Sequence, residues 1–238
     1  MNNMSNEIER IIWISAIKPG MEEAFLTELA GADAALKKRL KQQGVETCSV
    51  FREGRYLFTY LEQLQGGNGD SAGSQVERVR LWAADEKLSA LLETWPSIGG
   101  AGGSLELRMN DIFHDDLPQP DVPWRHPDYR PTQRVGSLSR LKPDQYASYV
   151  FLHYQLQEEK PRLFNKYYII GSLGEYIFSY QELPAIVEPP RKGLLSTKET
   201  PPDWGVAMEP HFEPWTDKPE AERLWCVMEE LFYMGRGE

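Results

Sequence analysis

The chain contains an internal repeat, and this repeat limits the possible folds more than any other feature of the sequence. Gly54 to Glu62 reads GRYLFTYLE and Gly174 to Glu182 reads GEYIFSYQE, with five of nine positions identical at an offset of 120 residues. The segments MNDIF (109–113) and MEELF (228–232) repeat at an offset of 119 residues. Landmarks in one order at nearly constant spacing indicate a tandem duplication, so two copies of one supersecondary unit are expected.

Each copy begins with an apolar strand that ends in Lys-Pro and leads into a helix. These segments are IIWISAIKPGMEEAF at 11–25 and RVGSLSRLKPDQYASY at 134–149, at an offset of 124 residues. Proline is tolerated in the first turn of a helix because no N–H is needed there. The first helix is predicted to end before Gly44, and its apolar residues recur mostly at three and four positions.

The pattern predicts the order β-α-β-β-α-β in both copies. The first copy is expected to contain strands 10–17, 46–52, 55–62 and 105–113 and helices 19–43 and 86–95. The second copy is expected to contain strands 135–141, 166–171, 175–182 and 224–233 and helices 144–159 and 203–215. This is the order of the ferredoxin-like motif and predicts an α+β fold. Two such halves usually bury the open faces of their sheets against each other, which predicts an intramolecular pseudo-dimeric α/β barrel.

The domain boundaries follow from the repeat. The first ferredoxin-like repeat is predicted at 1–113 and the second at 134–238, joined by a linker at 114–133 that contains five prolines in twenty residues. Prolines at this density prevent a regular element and give a stiff, extended connection. The segment GGNGDSAGS at 66–74 is expected to be a disordered tip or insertion.

Composition and charge exclude several classes of protein. The net charge is −10 and the sequence pI is about 5.0, so a nucleic-acid partner would be repelled. The N-terminus is polar and the apolar stretches are short, which predicts neither a signal peptide nor a membrane span and favours the cytoplasm. Cys48 and Cys226 lie far apart and are expected to be buried core residues, not a disulfide or a metal pair.

Tyr149 and His153 are the candidate catalytic residues. Side chains four residues apart on a helix can reach one ligand, and a histidine with a pKa near ~6.5 can act as general acid or base. The alternative is that Tyr149, Leu152, His153 and Leu156 only form the apolar stripe of an amphipathic helix. The first copy carries Phe25 and Leu29 at the equivalent positions. A core stripe that is polar in one copy alone favours a functional role, although the spacing leaves both interpretations open.

The second copy resembles the L-rhamnose mutarotase family through these residues. Pro143 opens the helix, and Tyr149 and His153 follow six and ten residues later, as in the family motif. The family's strand tyrosine matches Tyr167, with Asn165 and Tyr168 as alternatives. The positions of the family's Trp-rich helix hold Trp204, His211, Phe212 and Trp215. The resemblance implies catalytic roles for His153 and Tyr149 and substrate contacts for the other seven residues.

The resemblance implies a cofactor-independent aldose 1-epimerase that interconverts the anomers of a rhamnose-like monosaccharide. The first half would be a degenerate scaffold, and the internal repeat would replace a dimer. One alternative is a barrel that binds a sugar without turning it over. Another is a cofactor-free oxygenase on the same barrel, which predicts an apolar pocket indifferent to sugars; an apolar cavity around His153 without polar partners would favour it. The four histidines lack metal-ligand spacing, and Asp115-Asp116 and Glu158-Glu159 are expected on solvated turns and faces.

Overall fold

The computed structural model describes residues 7–65, 79–96, 103–119 and 122–236, so the glycine-rich segment predicted at 66–74 lies outside the described residues. The strands are β1 Glu7–Ala16, β2 Val45–Glu53, β3 Tyr56–Gln65, β4 Leu107–Arg108, β5 Asn110–His114, β6 Gln133–Arg140, β7 Ile169–Leu173, β8 Tyr176–Leu183, β9 Cys226–Val227 and β10 Glu229–Met234. The α-helices are α1 Glu22–Gln42, α2 Glu86–Ala90, α3 Tyr146–Glu159 and α4 Trp204–Met208.

The strands form two five-stranded antiparallel sheets, which confirms the predicted α+β class. The strand orders are β10-β2-β3-β1-β4 and β5-β7-β8-β6-β9. Two-residue turns join β2 to β3 and β7 to β8, and both contain a glycine with positive φ, Gly54 at 57° and Gly174 at 58°. Such turns match the twist of paired strands and need a residue that tolerates positive φ. The repeated Gly-x-Tyr sequence therefore encodes the two hairpins.

The final strand of each repeat joins the sheet of the other repeat. A single strand was predicted at 105–113, but the segment breaks at Met109 into β4 in the first sheet and β5 in the second. The predicted strand 224–233 breaks in the same way at Met228 into β9 and β10. An alternating pattern does not specify which strand is the pairing partner, so the sequence prediction of one continuous strand was wrong.

The two compact units of the chain consequently differ from the two repeats. The first unit comprises residues 1–108, 118–127 and 230–238, and the second comprises 109–117 and 128–229. In the first unit, Phe232 and Met234 from β10 belong to the core that α1 covers. In the second, Phe113 from β5 belongs to the core beneath α3. Each core therefore contains apolar side chains from both repeats.

The predicted helices are shorter in the structure where prolines and loops intervene. The helix predicted at 86–95 ends at Ala90, and the helix predicted at 203–215 ends at Met208 before a single 3-10 turn. The strand predicted at 166–171 starts at Ile169. Pro210 and Pro214 lack the N–H that a continued α-helix would need.

The repeated Tyr-x-Glu sequence places a buried carboxylate in each sheet. Tyr60 donates to Glu62 at 2.6 Å, and Tyr180 donates to Glu182 at 2.8 Å. Glu62 also accepts hydrogen bonds from Arg125 at 2.7 and 2.8 Å and from Trp124 at 2.9 Å. Burial alone would raise the pKa of Glu62, but these donors, with Arg125 first among them, hold it below its usual value. The segment predicted as a linker thus supplies the partners of a buried acid in the first unit.

Two further sequence predictions concern the cysteines and the membrane. Cys48 and Cys226 are fully buried, as predicted. Within the described ranges, none of the helices has both the length and the apolar character that a bilayer crossing requires.

The exchange of final strands makes a testable prediction about Phe232. Replacing Phe232 with Ala should lower the free energy of unfolding by about 3–5 kcal/mol, because a buried aromatic ring leaves a cavity. The destabilisation should appear in the first unit although Phe232 belongs to the second repeat. Urea unfolding gives the energy, and amide hydrogen exchange in β2 gives its location. Val227→Ala, at a side chain that is 56% exposed, is the control and should change stability by less than about 0.5 kcal/mol. Loss of amide protection only in β7 and β8 would contradict the exchanged topology.

Candidate functional site

Helix α3 carries the candidate histidine on its buried face. Pro143 lies in a 3-10 turn that leads into the helix, where its missing N–H costs nothing. Tyr149, His153 and Leu156 follow at spacings of four and three residues and are all buried. Both Tyr149 and His153 therefore face the core of the second unit, and neither faces solvent.

A single hydrogen bond determines the proton position on the His153 ring. Nδ1 lies 2.9 Å from the backbone oxygen of Tyr149, one turn earlier in the helix. A carbonyl oxygen can only accept, so Nδ1 carries the hydrogen and Nε2 presents its lone pair. Within the described residues, Nε2 has no hydrogen-bond partner. The ring is therefore oriented as a base with one free nitrogen.

Burial keeps His153 neutral at physiological pH. Desolvation, with a smaller contribution from His211, lowers the pKa of His153 to about 4, although the Tyr149 carbonyl favours the protonated ring. Burial also raises the pKa of the Tyr149 hydroxyl well above its usual value. Tyr149 is therefore a neutral phenol next to a neutral imidazole.

Aromatic side chains surround His153. Trp204 and Phe113 meet the imidazole edge to face, with ring centroids 4.9 and 5.5 Å away. Phe164 lies parallel to Phe113 at 6.0 Å, and Tyr168 meets Phe164 at 4.9 Å. Burial raises the pKa of Tyr168 to about 12, against a hydrogen bond with Ser179. These rings enclose the histidine in an environment of low polarity.

The rings form the wall of a cavity of about 340 Å³, at the lower end of the range for small-molecule sites. The lining is mainly apolar, and its members are Phe113, His153, Leu156, Lys160, Leu163, Phe164, Tyr168, Ile170, Thr200, Pro201, Pro202 and Trp204. Lys160 is the only charged side chain among them. A small, flat, apolar molecule fits this lining better than a polyhydroxylated one.

Asp115 positions the part of the wall that contains Phe164. Its carboxylate accepts hydrogen bonds from the backbone N–H groups of Leu163, Phe164 and Asn165 at 2.7, 3.0 and 2.7 Å. Asp115 and Asp116 are buried, and Asp116 pairs with Arg162 at 3.0 Å. The expectation that these aspartates lie on solvated turns was wrong, because Asp115 replaces the backbone partners that an irregular segment lacks and Asp116 is buried against Arg162.

The remaining wall comes from residues 193–202, which we call the strap. Glu159 accepts from the Thr197 hydroxyl at 2.5 Å and from the backbone N–H groups of Glu199 and Thr200 at 3.0 and 2.9 Å, and the Thr200 hydroxyl also binds it. Gly193 lies so close to α3 that an added Cβ would come within 2.0 Å of the Glu158 oxygen. The strap is therefore held against the end of α3 and brings Thr200, Pro201 and Pro202 to the cavity.

The structure brings some predicted site residues to the cavity and places others elsewhere. His153, Tyr168 and Trp204 line it. Tyr149 lies behind His153, with ring centroids 4.0 Å apart, and Phe212 packs on Tyr149 at 5.7 Å. Neither belongs to the described lining of the cavity. The catalytic roles assigned to His153 and Tyr149 stay predictions.

Four other predicted residues do not line the cavity. His211 binds the Ser148 hydroxyl through Nε2 at 3.0 Å, and Trp215 stacks on the Arg140 guanidinium at 4.4 Å. Tyr167 lies in a turn before β7 and stacks on Tyr129 at 5.1 Å. The Asn165 amide donates to the Glu182 carbonyl at 3.0 Å. Of the three positions considered for the strand tyrosine, only Tyr168 points into the cavity.

The equivalent region of the first unit is packed. Phe25 and Leu29 occupy the positions of Tyr149 and His153 and are 0% and 3% exposed. Trp82 is fully buried and meets Phe25 edge to face at 5.4 Å, and its Nε1 donates to Ser15 at 3.1 Å. Apolar side chains fill the space around Leu29 in this copy.

Comparisons with known proteins identify no family. No protein-family model matches the chain, and no curated protein sequence matches it significantly. A protein from Fusobacterium nucleatum subsp. nucleatum ATCC 25586, provisionally described as a monooxygenase, is 11% identical over 98% of this chain and 97% of that chain, with a TM-score of 0.40. An anthrone oxidase-like protein is 11% identical over 98% and 94%, with a TM-score of 0.33. Neither alignment assigns an activity, and the comparisons give no support to the mutarotase family.

The low pKa of His153 predicts a pH dependence of stability. The unfolded chain takes up a proton at His153 near pH ~6.5, whereas the folded chain stays neutral until about pH 4. The contribution of the neutral His153 to the free energy of unfolding is therefore fully present above pH ~6.5 and is lost as the pH falls from that value to about 4. The loss is up to about 2 kcal/mol between pH 7 and pH 5. His153→Leu, the residue type of the first copy, should remove this component. Urea midpoints at both pH values test it, and an equal shift in both proteins would contradict the buried neutral histidine.

The contacts of Glu159 predict that Glu159→Gln loosens the strap locally. An amide has one acceptor oxygen in place of two, so it cannot hold the strap hydroxyls and N–H groups together. The amides of Glu199 and Thr200 should exchange with solvent several-fold faster, while those of β8 stay unchanged. Glu175→Gln, at an exposed turn, is the matched control. Unchanged exchange in the strap would mean that Glu159 does not anchor it.

Proposed function

We propose that the second unit is a cofactor-independent oxygenase that acts on a small aromatic molecule with an activated C–H group. The observation that carries this proposal is a neutral histidine with an unoccupied Nε2 inside an apolar, aromatic cavity. The oxygenase alternative considered from the sequence predicts such a cavity. The same observation gives little support to sugar chemistry, because hydroxyl groups would face Phe113, Phe164 and Ile170 without partners.

The first step of the proposed reaction is proton abstraction by His153. At neutral pH the low pKa leaves Nε2 unprotonated and ready to accept a proton from the activated carbon. The product is an imidazolium beside a carbanion, and the attraction between the two charges offsets the cost of charging a buried histidine. The hydrogen bond from Nδ1 to Tyr149 stabilises this imidazolium and keeps the ring in place.

Molecular oxygen is the second reactant. The carbanion transfers an electron to O₂, and the two radicals combine to form a C–O bond and a peroxide anion. The imidazolium returns its proton to the distal oxygen, and the hydroperoxide loses water to leave a carbonyl. The balance is R₂CH₂ + O₂ → R₂C=O + H₂O, with His153 restored. An apolar cavity favours this sequence because it admits O₂ and excludes water from the carbanion.

The barrel and the oligomeric state belong to the proposal as well. The intramolecular pseudo-dimeric barrel stays a prediction from the repeat, and the exchange of β5 and β10 gives each sheet a strand from both repeats. The first repeat would act as a scaffold, with Phe25 and Leu29 in the positions of the tyrosine and histidine. We propose that the chain functions as a monomer in the cytoplasm.

Oxidation of anthrone tests the proposed reaction, since this compound is an aromatic ketone with one activated methylene group. The wild-type protein should consume O₂ with one equivalent of anthraquinone formed, and ¹⁸O₂ should label the new carbonyl. His153→Leu should lower kcat about 10²- to 10⁴-fold, the usual contribution of a general base. Tyr149→Phe keeps the ring behind His153 and should lower kcat less than about tenfold. Leu29→Ala in the first unit is the control for a generally loosened core.

The outcomes separate the candidate functions. No anthrone oxidation by the wild-type protein, or full activity in His153→Leu, would overturn the proposal. Saturation-transfer NMR of L-rhamnose is the parallel measurement for the mutarotase prediction. An anomer exchange rate that the protein raises, and that Tyr149→Phe and His153→Leu both abolish, would establish sugar chemistry at this site instead.

A further inference from the structure

Among the described residues that line the cavity, Lys160 is the one charged side chain. It is the C-terminal cap residue of α3, and its backbone N–H binds the Leu156 oxygen at 2.9 Å. The side chain is exposed, in contrast to His153, which is 4% exposed. His153 is thus a buried residue and Lys160 an exposed residue of the same cavity lining.

The acidic residues next to Lys160 are engaged elsewhere. Glu159 binds the strap, and the Glu158 carboxylate accepts hydrogen bonds from Leu194 N–H at 3.1 Å and from Gln157 at 3.0 Å. The neighbouring cation Arg162 pairs with Asp116 at 3.0 Å. Within the described part of the chain, the Lys160 ammonium has neither an ion pair nor a side-chain hydrogen bond. In a chain with a net charge of −10, this is an uncommitted positive charge at the entrance of an apolar site.

The helix sets the separation of the two groups. Lys160 follows His153 by seven residues, which is two helical turns or about 10 Å along the axis, and both residues line the cavity. The lysine side chain is long and flexible, so its ammonium group can turn toward the cavity or away from it. A bicyclic or tricyclic aromatic body between Phe113, Phe164 and Trp204 would span it, with one end at Nε2 and the other at the ammonium.

From this arrangement we propose that Lys160 is a specificity-determining residue, and that the preferred ligands are aromatic acids whose carboxylate pairs with it. The inference rests on the proposed function, because it names the class of molecule that the same cavity takes. The ammonium group of a lysine at a helix C-terminus also interacts favourably with the last carbonyl groups of the helix. That structural role would not distinguish a charged ligand from a neutral one of the same shape.

The test compares 2-naphthoate with 2-naphthamide, which differ in charge and hardly in shape. Isothermal titration calorimetry on the full chain should give about fivefold tighter binding of the acid, the effect of one partly exposed ion pair. Lys160→Gln should reduce this ratio to about one and leave the affinity for the amide unchanged. Lys160→Arg should retain the preference, and added salt should weaken it. Lys38→Gln makes the same charge change at an exposed position of α1 and should behave as wild type.

Each outcome decides the inference. Equal affinity of the wild-type protein for both probes, or an unchanged ratio in Lys160→Gln, would overturn the role of Lys160 while leaving cavity binding and anthrone oxidation intact. Failure of both probes to bind would also overturn it. A Lys160-dependent preference together with no anthrone oxidation would instead refute the oxygenase proposal and leave an aromatic-acid binding site.

Discussion

The exchange of final strands is the constraint on which the rest of the structure depends. β5 ends the first repeat but pairs with β7 in the second sheet, with Asp111 opposite Gly171 and His114 opposite Ile169. Phe113 reaches the cavity only through this pairing. Asp115, two residues later, then binds the backbone that carries Phe164. The candidate site of the second repeat is thus built on a strand of the first repeat, and neither repeat could form it alone.

The two copies show how one architecture can contain either a packed core or a cavity. Phe25 and Leu29 in the first unit hold the positions of Tyr149 and His153 in the second, and a tryptophan lies against each pair. Both tryptophans make edge-to-face contacts, Trp82 with Phe25 and Trp204 with His153. The difference lies in what surrounds them, since Trp82 is fully buried whereas Trp204 is only partly buried. The cavity therefore does not require a new fold. It requires only that fewer apolar side chains fill this region in one of the two copies.

The sequence was sufficient to predict what depends on local pattern, and insufficient for what depends on distant partners. The hairpin at Gly174, the helix that carries His153 and the α+β class follow from turn residues, periodicity and the repeat. The exchange of β5 could not be predicted, because an alternating strand pairs equally well with either of two similar sheets. The burial of Asp115 was missed for the same reason, since its partners lie about fifty residues further along the chain. The strap has no periodicity, and its position depends on the Glu159 contacts.

The placement of His153 makes more physical sense as a functional feature than as a packing feature. A leucine at this position fills the core of the first unit without a polar atom, whereas the histidine brings a nitrogen that has no described partner into an apolar cavity. Its burial makes the fold less stable at acidic pH, a cost that a purely structural position would not carry. In sequences that fold well, local propensity, hydrophobic pattern and core packing usually favour the same structure. Positions that depart from this consistency concentrate where function requires them. His153, where the first copy has a buried leucine, is therefore where the chemistry of this chain should be sought.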